Sequence, residues 1–186
     1  MIDGGADKLL KFLRYYGIDG IGYNSEFSIG SGLSADGLKT LLSQCFAKRE
    51  AAKWPYFTNA WYSLMTSGGT VGGGDALSSS NQDWFHWNGN PTSDAYFMNY
   101  NWGASGLSTS QSTAKSFAGR SSYDVYGGMD FQGRSVADWI ALKNAEISVG
   151  IWGAHNMNMI FEGRGELGSC LLYTFPSPRD RQKSRM

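Results

Sequence analysis

The sequence predicts an α/β fold with a parallel sheet, and three observations predict it. Segments of strand character begin near residues 18, 56, 95, 123 and 148 with helical stretches between most of them, and that alternation implies parallel pairing through crossovers. Each segment turns polar or aromatic at its C-terminal end, where a barrel gathers its functional groups. No G-x-G-x-x-G or P-loop opens a helix after any of them; Gly68-Gly69 and Gly72-Gly73-Gly74 lie inside a long loop, which argues against a doubly wound nucleotide binder. The expectation is a (β/α)8 TIM barrel, incomplete, with about five C-terminal βα units present. A whole barrel takes roughly 250 residues, and this chain has 186.

The first helix is expected over Asp7–Tyr16, where Leu9, Leu10, Leu13 and Tyr16 recur at helical spacing and Gly17 supplies the stop. Ile18–Phe27 reads as a buried strand that delivers side chains to a loop. Ser34 caps a helix to Lys53 with Leu38, Leu41, Leu42, Cys45 and Phe46 on one face, which makes Cys45 a core thiol. Tyr56–Met65 is the second strand. A Gly/Ser-rich loop, Thr66–Ser93, then carries Trp84, Phe85, His86 and Trp87, too many rings for a linker and long enough to be functional. Asp94–Trp102 is the third strand, Ser108–Ala118 a helix and Tyr123–Gln132 the fourth strand; Ser135 caps a helix to about Ala145, and Ile147–Trp152 is the fifth strand.

Composition narrows the function. With 41% hydrophobic and 17% charged residues the chain suits a packed core. Sixteen Lys plus Arg balance sixteen Asp plus Glu, so nothing points to nucleic acid or to an anionic membrane surface. No apolar run reaches the roughly 18 residues of a membrane span, and Met1–Gly5 lacks the pattern of a signal peptide. Neither membrane insertion nor an obligate protein partner is expected. Cys45 and Cys170 have neither zinc nor disulfide-framework spacing, and His86 and His155 are expected to face solvent, so no metal site is expected.

The two ends read differently from the body. The opening helix is expected to pack against something earlier. Residues 170–186, with Cys170-Leu171-Leu172-Tyr173-Thr174 followed by Pro176-Ser177-Pro178-Arg179-Asp180, resemble a translated sequencing adapter in which only Phe175 departs. The domain reading is therefore 1–169, a partial barrel, and 170–186, a non-native-looking, disordered tail. Without the tail 12 basic residues face 15 acidic ones.

The strongest chemical candidate is Asn24-Ser25-Glu26. Strand alternation puts Asn24 and Glu26 on one side, together at the barrel mouth. A carboxyl in an aromatic-walled cleft can serve as general acid, and an amide beside it can orient a polar substrate group. Read alone, the pattern is weak and fits a loop-side Asn and a solvated Glu better. Tyr96, Phe97 and Trp139 read as core rings, Asp130 as either a substrate contact or a loop cap, and Ser110 and Ser135 lack any nucleophile-elbow context.

Asp7-Lys8-Leu9-Leu10 through Tyr15-Tyr16-Gly17-Ile18-Asp19-Gly20, Tyr23-Asn24-Ser25-Glu26, Trp61-Tyr62 with Met65-Thr66, Phe97-Met98-Asn99 with Trp102, and Ser122–Asp130 follow in one order. This run resembles glycoside hydrolase family 85, the endo-β-N-acetylglucosaminidases, over nearly all of residues 6–153. The resemblance implies hydrolysis of the N,N′-diacetylchitobiose core of high-mannose-type N-linked glycans inside a TIM barrel. It implies a retaining, substrate-assisted oxazoline mechanism with no metal or organic cofactor, and an N-glycoprotein or glycopeptide as substrate. Carried over, Glu26 is the acid and base, Asn24 holds the acetamide and Tyr62 hydrogen-bonds the forming oxazoline. Trp102, Trp61, Tyr100 and Asp130 are the substrate-binding candidates.

The chain departs from the family pattern in places. Ser63 stands where the family often has Asp, and Thr70–Asp75 lacks the family's aromatic residue, for which Trp84 or Trp87 is the substitute considered. The family's earlier strands are missing, so the chain alone is expected to be aggregation-prone or inactive. Two alternatives stay open: a non-catalytic glycan-binding remnant, and an unrelated barrel glycosidase with Asp130 as its second carboxylate. The family has cytosolic and secreted members, and localisation is left open.

Overall fold

The computed structural model describes residues 4–51, 54, 57–132 and 138–153. The chain forms two compact units, 1–129 with 136–150, and 130–135 with 151–186. Ser135, His155 and the tail at 170–186 lie outside the described residues.

Helix α1 spans Gly5–Tyr16 and buries Ala6, Leu10 and Leu13. Gly17 ends it at φ 67°, where its N–H reaches the Arg14 carbonyl while Ile18 bonds that of Leu13. A left-handed residue here closes the last turn, and glycine takes that conformation at little cost. The apolar spacing locates the helix but does not place Tyr16 inside: with Phe12 and Tyr15 it is exposed.

Strand β1, Gly20–Tyr23, leads to helix α2, Ala35–Ala51. Ser34 caps α2 by accepting the Gly37 N–H at 3.0 Å. Leu38, Leu42, Cys45 and Phe46 are buried, as the 3.6-residue period requires. Cys45 and Phe57 close over the buried face of α1. Lys39 is buried in the same helix because its ammonium is fully used: it pairs with Asp36 at 2.9 Å and Asp83 at 3.1 Å and donates to the Ser67 carbonyl.

Strand β2, Thr58–Tyr62, is followed by the long connection read as a functional loop. It folds back as a packed layer. A 3₁₀ turn at Gln82–Trp84 precedes a hairpin of β3, His86–Trp87, and β4, Asn90–Pro91. The turn is Asn88-Gly89, both at positive φ, the pair that a two-residue hairpin favours. Leu77, Trp84 and Phe85 are wholly buried. Trp84 stacks on Trp61 at 4.3 Å and gives its indole N–H to the Thr66 carbonyl. His86, expected at the surface, is buried and stacked on Phe117 at 4.7 Å.

Strand β5 is Ala95–Phe97 and helix α3 is Ala104–Lys115. α3 starts a turn before its expected Ser108, because extended Gly103 already accepts from Leu107, and Leu107, Ser110 and Ala114 are buried. Ser110 is structural: it accepts from Leu77 N–H at 2.9 Å. Strand β6, Val125–Asp130, helix α4, Trp139–Asn144, and strand β7, Ser148–Trp152, complete the described elements. Asp138 is the α4 cap, accepting from Ala141 N–H at 2.9 Å.

The main sheet runs β1-β2-β5-β6-β7, and β1–β2, β2–β5 and β5–β6 pair in parallel. Among the described strands, sequence order and spatial order agree, so this sheet has no switch point of the doubly wound kind. This is the α/β arrangement of an incomplete barrel, with the strand C-termini of the first unit along one edge. No helix among the described residues is long and apolar enough to cross a membrane.

Candidate active site

The segment after β1 sets the first two candidates. Ser25 is buried and its hydroxyl donates to the Tyr62 carbonyl at the end of β2. That bond turns the residue between Asn24 and Glu26 inward and leaves both flanking side chains exposed. The i, i+2 spacing thus puts the amide and the carboxylate on the open side, and the buried serine holds them there.

Tyr62 is the centre of the constellation. Its half-buried phenol donates to Asn99 Oδ1 at 2.9 Å, and its ring packs beside Phe97 and Tyr100, both just over 6 Å away. Burial pushes the Tyr62 phenol well above the usual tyrosine range, and Tyr100 and the negative charges of Glu26 and Asp75 push it further. The phenol is therefore held as a neutral O–H donor. Tyr100, expected to contact substrate, stands half-buried in this group.

A second set of bonds fixes the group. The Ser63 hydroxyl donates to the Gly74 carbonyl at 2.5 Å and accepts from Asn99 N–H at 3.0 Å; that N–H also reaches the Gly74 carbonyl at 2.8 Å. Gly74 sits at φ 114°, a backbone conformation that glycine adopts at little cost. The Gly-rich run is thereby tied to the ends of β2 and β5. Asn99, Ser63 and Asp75 were not singled out as site residues from the sequence. A polar residue one or two places past a strand end was the available signal for the first two; nothing local marked Asp75.

Three substrate-binding candidates are buried or already bonded. Trp61 is 1% exposed, stacked on Trp84 and 5.6 Å from the Tyr23 ring, because the pleat turns it away from Tyr62. It is a core residue, and Trp84 beside it offers no face to a ligand. Trp102 is 7% exposed and its indole N–H is bonded to the Gly128 carbonyl at 2.8 Å. Its edge is anchored, with little ring surface open. Asp130 belongs to the second unit, where its carboxylate accepts the Gln132 N–H at 2.8 Å as a loop cap. Among the described residues no group of three or more His, Cys, Asp or Glu gathers as metal ligands do.

The arrangement can bind and protonate. It offers an exposed carboxylate and amide on one strand end, a neutral phenol on the next, and an amide that orients the phenol. That set suits a polar substrate whose reaction needs one proton donor and one stabilised oxygen. The family described as Glycosyl hydrolase family 85 matches residues 4–164. The glycoside hydrolase domain of Endo-D from Streptococcus pneumoniae R6 superimposes with a TM-score of 0.66 at 26% identity, over 83% of this chain. The chain spans about a quarter, 26%, of that structure's length. No curated protein matches the sequence.

Proposed function

The chain belongs to glycosyl hydrolase family 85, and from that premise we propose that its strand edge is the cleavage site of an endo-β-N-acetylglucosaminidase. The substrate is the N,N′-diacetylchitobiose core of N-linked, high-mannose-type glycans on a glycoprotein or glycopeptide. Residues 1–169 form the barrel part, and 170–186 are foreign to it.

The reaction uses the substrate's own acetamide. Its oxygen attacks the anomeric carbon as the C1–O bond to the second sugar breaks, and Glu26 gives its proton to the departing oxygen. Water then adds to C1 of the oxazoline, Glu26 takes its proton, and the acetamide re-forms with configuration retained. Such substrate assistance needs one protein acid where other glycosidases use two carboxylates. Asn24, exposed beside Glu26, holds the acetamide. Tyr62, kept as a neutral phenol by burial and by its carboxylate neighbours, turns its O–H from Asn99 toward the acetamido oxygen.

The observation that carries this reading is that Ser25, flanked by exposed Asn24 and Glu26, is bonded to the Tyr62 carbonyl, while the Tyr62 phenol donates to Asn99 at 2.9 Å. Glu26→Gln in the full-length protein tests it. Glycan release should fall by about 10²–10⁴, the usual worth of a positioned acid-base group, with glycopeptide binding retained. Undiminished release overturns the assignment, and a wild-type protein that binds without release favours the glycan-binding remnant.

A further inference from the structure

Glu26 is not the only carboxylate near the Tyr62 phenol. Asp75 follows directly on Gly74, whose carbonyl is clamped by the Ser63 hydroxyl and the Asn99 N–H. Its backbone lies close against α3, where Gly106 permits the approach: a Cβ there would lie only 2.9 Å from the Asp75 carbonyl oxygen. The side chain is half-buried, and no donor among the described residues reaches its shielded Oδ1. A sheltered carboxylate oxygen is costly without a hydrogen-bond donor, and the cost falls when a ligand brings one. Position 63, one residue past Tyr62, cannot supply a carboxylate, because it is Ser and its hydroxyl is engaged with Gly74 and Asn99.

We propose that Asp75 is a substrate-binding residue of this site: its carboxylate accepts a hydrogen bond from an N–H or O–H of the N-acetylated sugar held beside Tyr62. The assignment rests on the function proposed above. It gives the Gly72–Gly74 run a purpose, that of holding Asp75 next to a glycine clamped to the ends of β2 and β5.

The test uses the full-length protein, a high-mannose glycopeptide, and the variants Asp75→Ala, Asp75→Asn, Glu26→Gln and the Glu26→Gln/Asp75→Ala pair. Asp75→Ala should lower kcat/KM roughly 10- to 100-fold, the loss expected for one hydrogen bond to a charged group, chiefly by raising KM. The same factor should appear as weaker glycopeptide binding when Asp75→Ala is added to Glu26→Gln. Asp75→Asn keeps an acceptor oxygen and the side-chain volume, and should retain part of the affinity and the wild-type melting temperature. If KM and binding are unchanged by Asp75→Ala while Glu26→Gln abolishes release, the role of Asp75 is refuted and the site reading stands. If both Asp75 variants lose activity only in proportion to lost folded protein, Asp75 is structural and the proposal fails. If Glu26→Gln releases glycan normally, the site reading itself has failed.

Discussion

Trp61 and Tyr62 are neighbours on β2, both aromatic, and they belong to different regions. Trp61 lies in a layer packed against the connecting segments, with Trp84, Tyr96, Leu42 and Phe85 wholly buried. Tyr62 lies at the mouth, half-buried, hydrogen-bonded to Asn99 and beside Tyr100. The pleat alone separates them, since adjacent residues of a strand point to opposite faces. The difference teaches that ring chemistry does not mark a sugar platform; what marks one is the face it leaves uncovered.

The contrast predicts opposite phenotypes for adjacent substitutions. Trp61→Ala should cost about 3–5 kcal/mol, the usual penalty for emptying a large aromatic site, because it also unstacks Trp84. Activity per folded molecule should be nearly preserved. Chemical denaturation with activity normalised to folded protein checks this, and a stable Trp61→Ala protein with weakened substrate binding would move Trp61 into the site.

Tyr62→Phe sharpens the other half. It removes one hydroxyl and leaves the ring in place between Phe97 and Tyr100. Release should fall roughly 10- to 100-fold, as expected for one hydrogen bond that strengthens in the transition state. Stability should shift by only about 1 kcal/mol, the scale of a single neutral hydrogen bond. Equal losses of stability and activity would show that the phenol serves packing alone.

The same contrast explains what could be read from the sequence. The helical periods of α1 and α2 located both helices, and the polar end of the first strand singled out Asn24 and Glu26 as candidates, because these signals are local; Tyr62 entered only through the resemblance of Trp61-Tyr62 to the family pattern. The packing of residues 66–93 was not legible, because Gly, Ser and scattered rings carry no period that shows what they pack against. There Lys39 of α2 pairs with Asp83, and Trp84 stacks on Trp61, contacts that join distant segments and leave no periodic trace. Tyr16 fails differently: period says which face is apolar and not what covers it. Asp75 gains meaning only through the Gly74 clamp, which unites three strand and loop segments. Trp102 was expected to end the third strand, but β5 stops at Phe97 and the Gly128 carbonyl that anchors the indole comes from β6.

The smallest effect separates the two regions by pH. Burial pushes the Cys45 thiol up to about 11 from 9.0, with Asp7 adding to the rise and Lys48 opposing it. In the unfolded chain the thiol ionises at its ordinary value, so stability is full below pH 9 and is lost as pH rises through the window between the two values. Tyr62 and Tyr96 are also raised by burial, from 10.0, so their losses begin above pH 10 and follow that of Cys45. Cys45→Ala should flatten the first part of this alkaline limb, with a small cost at neutral pH from the lost packing between α1 and α2. Tyr62→Phe should leave that first part unchanged and flatten the later one. Denaturation midpoints measured from pH 7 upward decide it: a first limb that survives Cys45→Ala would mean that the ionisation weakening the outer layer belongs to another group.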